Sequence, residues 1–408
     1  MHIVVLGGGG AMGRITARAL AEDDRVSRVT VADLRQEAAE RTVAWLGKGR
    51  EKAQAVACDV RDTAALAHLT RGAGALLNAT DYPFNLDVMR AALEARVSYA
   101  DLGGLFHMTR RQYELHDAFA AAGITAVLGI GSTPGITNIL ARVAADRLDR
   151  VERLDVRIGS ADLRANASDA PFVPPYSIRT IFDECTLEPM VYRNGRASAV
   201  PPMSGQEPIE FPAPIGRATA MYTLHSEVAL FPVSFRERGL RHASFKIAFP
   251  PEFLAQLKLL VGVGLADGEP LAVRMAGSRE AAQVAPRELF VALLMRQAQQ
   301  ASGQASGAAA EPNDCDVLRV VAQGTKDGSP VTLVEDMVVR PYKPWKVGAG
   351  DLDTGVPLAI AGMLLAGDEA QRMPKGVHGA ELVFEPHSFL HELARYEMRA
   401  TETTTRAL

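Results

Sequence analysis

The sequence opens on residues that could hold an anion. Gly8, Gly10 and Gly13 fall in a G-x-G-x-x-G spacing directly behind the apolar run Ile3-Val4-Val5-Leu6. After a strand, that spacing suits a dinucleotide. Gly8 permits a tight turn, Gly10 lets the backbone approach a pyrophosphate, and Gly13 lets the following helix pack on the strand. The free N–H groups at the helix start, at Ala11 and Met12, face the anion. Asp33 lies about 20 residues further on, at the end of a second apolar run, where a carboxylate would accept from a ribose 2′-hydroxyl. It would repel a 2′-phosphate, so NAD is expected, while Arg35 two residues later keeps NADP possible. The plainer reading, a strand-helix turn with Asp33 as a helix cap, uses the same residues, but strand, turn, helix, strand and acid follow in the order that cofactor binding requires.

The elements that must position this turn repeat along the first third of the chain. Helical periodicity covers 14–21, 36–46, 63–70, 84–95 and 110–122, and strand patterns cover 29–32, 53–57, 73–79, 97–101 and 125–128. Six strands alternating with helices imply a parallel sheet with right-handed crossovers, a complete Rossmann domain over residues 1–133. Strand ends then carry further candidates for the cofactor. Asp59 would face the adenine side or cap the next helix, and Asn78, Ala79 and Thr80 would lie beside the glycine turn. In "GIGSTPGITN", residues 129–138, glycines and Pro134 start another helix at the same sheet edge. Gly135 is therefore expected against cofactor or substrate, the alternative being a simple exit turn between domains.

Beyond residue 151 the pattern changes to alternating strands with few helices. An α+β domain on a largely antiparallel sheet is expected over 134–345, with a hairpin through Asn194-Gly195 and another through "GTKDGS". The small, polar stretch 299–314 reads as a surface loop. The tail, 346–408, turns helical again at 357–365 and 388–398.

Composition narrows the function. The chain has 408 residues, a net charge of -4 and three cysteines, Cys58, Cys185 and Cys315, with no C-x-x-C pair. That gives no electrostatic case for a nucleic-acid or membrane partner and no disulfide framework or zinc site. A reducing, cytoplasmic setting is expected. The first apolar run has no basic region before it and reads as a strand, and the later apolar stretches, such as 357–366, are too short to span a membrane. His387 and His391 share a helix face at i, i+4, but without a third ligand no metal is expected.

Taken together, "VVLGGGGAMG", "VTVADL", "VSYADLGG", "GSTPGITNILA", "VYRNG", "LRVVAQGTKDG" and "MPKGVHGAELVFEPHSFLHEL" make the chain resemble the saccharopine dehydrogenase family over nearly its full length, most of all the lysine 6-dehydrogenase branch. The resemblance implies a Rossmann domain, an inserted α+β domain that carries substrate and often dimerises, and C-terminal helices that return to the Rossmann side. It also implies hydride transfer between NAD(P) and the carbon of an amino acid or amine, with lysine-type oxidation first and saccharopine-like or carboxynorspermidine-like secondary amines second. The stretch 221–235, "MYTLHSEVALFPVSF", departs from the lysine branch. A cofactor sensor without catalysis is the reading from another class, since a fold alone does not establish activity.

Amine oxidation needs a neutral nitrogen, a C–H held against the nicotinamide, and fixed charges for the substrate. Asp101, at the end of the fifth strand, is the candidate to orient or deprotonate an ammonium. His225 is the candidate acid–base, set with Ser226 and Glu227 in a polar cluster within an apolar segment. Glu227 could hold a distal amine, Arg179 could grip a carboxylate, and Tyr176 precedes it on the same segment. Each also has a structural reading, as turn residue, satisfied core histidine or solvated face.

Overall fold

A computed structural model gives the fold, and it describes residues 1–164, 172–275, 277, 280–304 and 311–406. Six strands, β1 (His2–Leu6), β2 (Arg28–Asp33), β3 (Ala53–Ala57), β4 (Ala75–Asn78), β5 (Ser98–Asp101) and β6 (Thr125–Leu128), form a parallel sheet in the order β6-β5-β4-β1-β2-β3. Val4, Val5, Leu76, Leu77, Ala126 and Val127 are fully buried, as expected of a parallel sheet covered on both faces. A seventh parallel strand, Gly376–Gly379, was not foreseen. It comes from the tail and pairs with β6.

The second sheet has nine strands and is antiparallel except for one pair. Its central strand, β7 (Arg150–Asp162), runs parallel to His242–Ala248 on one side and antiparallel to Asp314–Lys326 on the other. The hairpin Asp314–Lys326 to Ser329–Val339 turns through Asp327 and Gly328, both at positive φ. Asn194 and Gly195 turn the smaller hairpin in the same way. Residues 198–214 contain the strand Glu207–Glu210. The expected loop 299–314 is entered by the helix Pro286–Gln304, and its residues 305–310, like residues 165–171, lie outside those described.

The tail serves both sheets. Strand Ala400–Arg406 adds to the second sheet beside Ser329–Val339, so the tail is not purely helical. Its helix Ala349–Ala366 has 18 residues, longer than the apolar stretch suggested, and by length and composition alone could cross a membrane, yet 72% of it is buried inside the fold. It packs on the helix Ala11–Glu22 at close range because Gly355 has no side chain. A Cβ there would stand 2.6 Å from Cβ of Ile15, and Thr16 Oγ1 donates to the Gly355 carbonyl at 2.8 Å. The same helix runs past β4 and links the two sheets.

Candidate functional site

The glycine turn is built as a cradle, though its glycines divide the work differently from expectation. Gly7, not Gly8, takes the left-handed conformation, at φ +65. Gly8 is needed because a Cβ would lie 2.6 Å from Val31, and Gly13 because one would lie 2.1 Å from the Gly7 carbonyl. Gly10 and Ala11 stay exposed at the mouth of the helix Ala11–Glu22, whose first N–H groups have no partner within the helix. Asp33 is drawn to this turn: its Oδ2 accepts from Gly9 N at 3.0 Å and its Oδ1 from Arg35 N at 3.1 Å. These residues fit a dinucleotide, with exposed N–H groups for a pyrophosphate and a carboxylate beside them for a ribose.

Between the two sheets lies a cleft of about 270 Å³. From the Rossmann side it is lined by Met12, by Ala79, Thr80, Asp81 and Tyr82 after β4, by Leu102 to Leu105 after β5, and by Gly131 to Pro134 after β6. These are the carboxyl ends of parallel strands, where open α/β sheets bind ligands. From the opposite side come Ile158 and Ser160 of β7, Phe245 and Ile247 of the strand His242–Ala248, and Asp316. The spacing of two is that of one strand face. The other face of the same strands holds the cations. Arg157 and Lys246 sit opposite one another in register and pair with Glu207 at 3.1 and 2.7 Å. Asp316 thus faces the cleft, while the bases face away among the acids that pair them, Asp155 and Glu207.

At one side of the cleft the helix Ile178–Thr186 presents Glu184, and the turn before Glu227–Phe235 presents His225. The His225 ring stacks on Phe245 with centroids 3.8 Å apart. Its Nδ1 donates to Glu227, which also accepts from the hydroxyls of Thr133 and Thr137. Its Nε2 stands 3.8 Å from Glu184, which accepts from the Tyr176 hydroxyl at 2.5 Å. Burial pushes Glu184 up to about 7, against the pull of His225 and Tyr176. Burial would lower the pKa of His225, but the adjacent Glu227 and Glu184 carboxylates outweigh it and hold the ring above its ordinary range. The result is a histidine fixed in tautomer by one carboxylate and facing a second that titrates near neutrality, a pair able to give and take a proton.

Of the residues marked from sequence, Met12, Ala79, Thr80, Tyr176, His225 and Ser226 line the cleft. Several others do not. Asp101 is fully buried and takes four donors, from Gly103 N, Gly129 N, Tyr99 Oη and Gln112 Nε2, at 2.6 to 2.9 Å. Its carboxylate fastens the loops that follow β5 and β6, and no oxygen is left for an ammonium. Glu227 is likewise buried and spent on His225 and two threonines. Arg179 is engaged bidentately by Glu288, with Nη2 to Oε2 at 2.5 Å, so it does not grip a carboxylate in the cleft. Asp59 is clasped by Arg61, and Asp62 rather than Asp59 caps the helix Thr63–Thr70. Asn78 is buried and holds Thr80, whose N–H and hydroxyl both donate to its Oδ1. Gly135 caps the helix Ile136–Asp146 at φ +132, and the four residues before it reach the cleft instead. His387 and His391 are exposed, and among the described residues no group of three or more His, Cys, Asp or Glu is arranged to hold a metal.

Sequence reasoning missed Asp316, Asp353 and Thr133. Asp353 carried the one usable signal, an acid inside the otherwise apolar helix "LDTGVPLAIAGMLL". Asp316 and Thr133 become visible only when strand register and helix placement bring them to the cleft.

Comparison with known proteins agrees with this architecture. Residues 3–127 match the family model described as the saccharopine dehydrogenase NADP binding domain, and residues 131–398 the one described as the saccharopine dehydrogenase C-terminal domain. The chain is 25% identical over 407 residues to the carboxyaminopropylagmatine dehydrogenase of Synechocystis sp., covering 96% of this chain and 95% of that one. It is 24% identical over 291 residues to the carboxynorspermidine synthase of Vibrio alginolyticus, covering 66% and 68%. Among solved structures, apo saccharopine dehydrogenase (L-Glu forming) from Saccharomyces cerevisiae superposes with a TM-score of 0.71 at 18% identity, over 99% of each chain.

Proposed function

The chain belongs to the saccharopine dehydrogenase family and is an NAD(P)-dependent dehydrogenase, and from that premise we propose that it transfers hydride at the C–N bond of a secondary amine carrying further positive charge. The observation that carries this reading is the charge of the cleft. Asp81, Glu184, Asp316 and Asp353 line it together with His225, and among the described residues no lysine or arginine does. An acidic, partly apolar cleft favours an amine chain that carries several positive charges. Relatives whose names specify a carboxyaminopropylagmatine and a carboxynorspermidine point the same way. Lysine, with two primary amines and no secondary one, is the second reading.

Bound NAD(P) supplies the hydride acceptor, or the donor in reverse. The chain does the rest. In the oxidative direction His225 takes the proton from the secondary ammonium, so that the nitrogen lone pair can drive the hydride from the adjacent carbon. The resulting C=N⁺ is stabilised by the cleft carboxylates, and water adds to its carbon to release a carbonyl compound and a primary amine. In the reductive direction the same C=N⁺ accepts the hydride at carbon, and His225 governs the nitrogen's protonation. Asp33, with its negative charge beside the glycine turn, supports NADH over NADPH.

A spectrophotometric screen of nicotinamide reduction tests both points, with N-carboxyalkyl derivatives of agmatine and of diamines against lysine and saccharopine, each with NAD and NADP. Turnover of the agmatine or diamine derivatives is expected to exceed that of lysine. Efficient lysine oxidation with no secondary-amine turnover would overturn the substrate class, and a clear preference for NADP would overturn the reading of Asp33.

A further inference from the structure

The Glu184–His225 pair accounts for one part of the cleft and leaves another unexplained. Asp316 projects from the strand Asp314–Lys326, opposite Ser160 in register, and Asp353 from the first turns of the helix Ala349–Ala366. Their neighbour Asp314 has a structural task, since its Oδ2 accepts from Ala349 N at 2.9 Å and caps that helix. Asp316 and Asp353 have no such task. Ser160 donates to Asp316, and Ser132 and Thr354 donate to Asp353, the last at 3.3 Å. Asp353 is 1% exposed, it lines the cleft, and its Oδ2 is buried without any hydrogen-bond partner. Buried carboxyl oxygens are expected to be satisfied, and an orphan one beside a second acid calls for a cation or a proton.

We propose that Asp316 and Asp353, backed by Ser160, Ser132 and Thr354, form a cation subsite that receives an ammonium or guanidinium group of the substrate, separate from the Glu184–His225 pair. The cleft then offers two acidic stations, with Tyr176 between them: its hydroxyl donates to Glu184 and lies within the field of Asp316. It selects amines with at least two cationic nitrogens. Without a ligand, burial raises both acids, helped by Asp314 beside Asp316, which rises to about 6, and by Asp316 beside Asp353, so the pair retains a proton that an entering cation displaces to solvent. The flanking hydroxyls fix the carboxyl planes, and Gly131, where a Cβ would come within 3.3 Å of Thr354 Cγ2, brings the loop after β6 close to the helix. The inference rests on the amine reading above and specifies which groups bind the charge.

The test is calorimetric titration of the full-length protein with agmatine, with Asp353→Asn and Asp316→Asn alongside wild type. Asparagine resembles the protonated acid in shape but cannot supply the negative charge. Each variant is expected to weaken agmatine binding at least about tenfold, the scale of one charge-assisted hydrogen bond, while keeping the wild-type affinity for NADH and the wild-type melting temperature. Unchanged agmatine affinity in both variants overturns the subsite, as does a loss matched by an equal loss of NADH binding and of melting temperature. Failure of the two proposals is distinguishable. Asp353-dependent agmatine binding without turnover of any amine would sink the reaction and leave the subsite. Secondary-amine turnover whose KM is unmoved by Asp353→Asn would sink the subsite and leave the reaction.

Discussion

Single residues in this protein are decided by who their donors are. His225 is held on one side by Glu227 and confronted on the other by Glu184, so its proton has a defined origin and destination. His225→Gln is expected to lower kcat on the order of 100-fold, at the low end for a positioned acid–base group. Glu184 titrates at about 7, with its protonated form favoured by burial. In Glu184→Gln, therefore, the limb of the kcat/KM profile near that pH should vanish, and a profile identical to wild type would remove Glu184 from the proton path. Asp101 shows the converse. Sequence placed it at a strand end facing the nicotinamide, yet its four donors make it the rivet of two loops. Asp101→Asn puts an amide N–H₂ among those donors, and a loss of about 1–3 kcal/mol in stability is expected by chemical denaturation. Its position along the chain was legible in the sequence. The direction of its carboxylate was not, because Tyr99, Gln112 and Gly129 converge on it only in three dimensions.

Elements divide into those a period can reveal and those only a partner can. The six strands of the parallel sheet and the helices between them were visible because each carries a full apolar run or face. The strand Gly376–Gly379 is four residues long, half of them glycine, and forms only because β6 offers it an open edge. Strand Ala400–Arg406 is threonine-rich and largely exposed, with no alternation to read. Its docking carries a strain of its own. Glu402 lies opposite Glu335 in register, and burial together with Glu402 lifts Glu335 from 4.5 to about 8. A raised carboxyl adds stability in full below its unfolded pKa and loses it as the pH rises through the folded one. The melting temperature of wild type should therefore carry a decline as the pH rises from about 4.5 to about 8, and Glu335→Gln should flatten that decline; parallel curves for the two proteins would contradict this. The contact of the tail helix with the glycine-turn helix is equally specific. Gly355→Ala would drive a methyl to 2.6 Å from Ile15 and 2.9 Å from the Met12 carbonyl. A cost of about 1–3 kcal/mol is expected, and because Met12 belongs to the cleft, fluorescence titration should also show weaker NADH binding.

At the scale of the whole molecule, the second sheet does for the substrate what the first does for the cofactor. Its strands keep their cations off the cleft, with Arg157, Lys246 and Arg319 in register on the outer side among their partners Glu207 and Asp336, and turn Asp316 inward. The tail helix lays Asp353 against the same cleft while bracing the glycine turn through Gly355. Alternation along one strand could have suggested this sorting, but which face meets the Rossmann loops depends on packing between sheets. That is why the fold was readable from sequence and half of the cleft was not. The central claim, hydride leaving the carbon bonded to a secondary nitrogen of a polycationic amine, is tested most directly by single-turnover nicotinamide reduction. The substrate would be an N-carboxyalkyl agmatine derivative, unlabelled or deuterated at one or the other of the two carbons that flank the secondary nitrogen. The account predicts slower reduction with deuterium at one of those two carbons and an unchanged rate with deuterium elsewhere; equal rates for all isotopologues in a step shown to be limited by chemistry would contradict it.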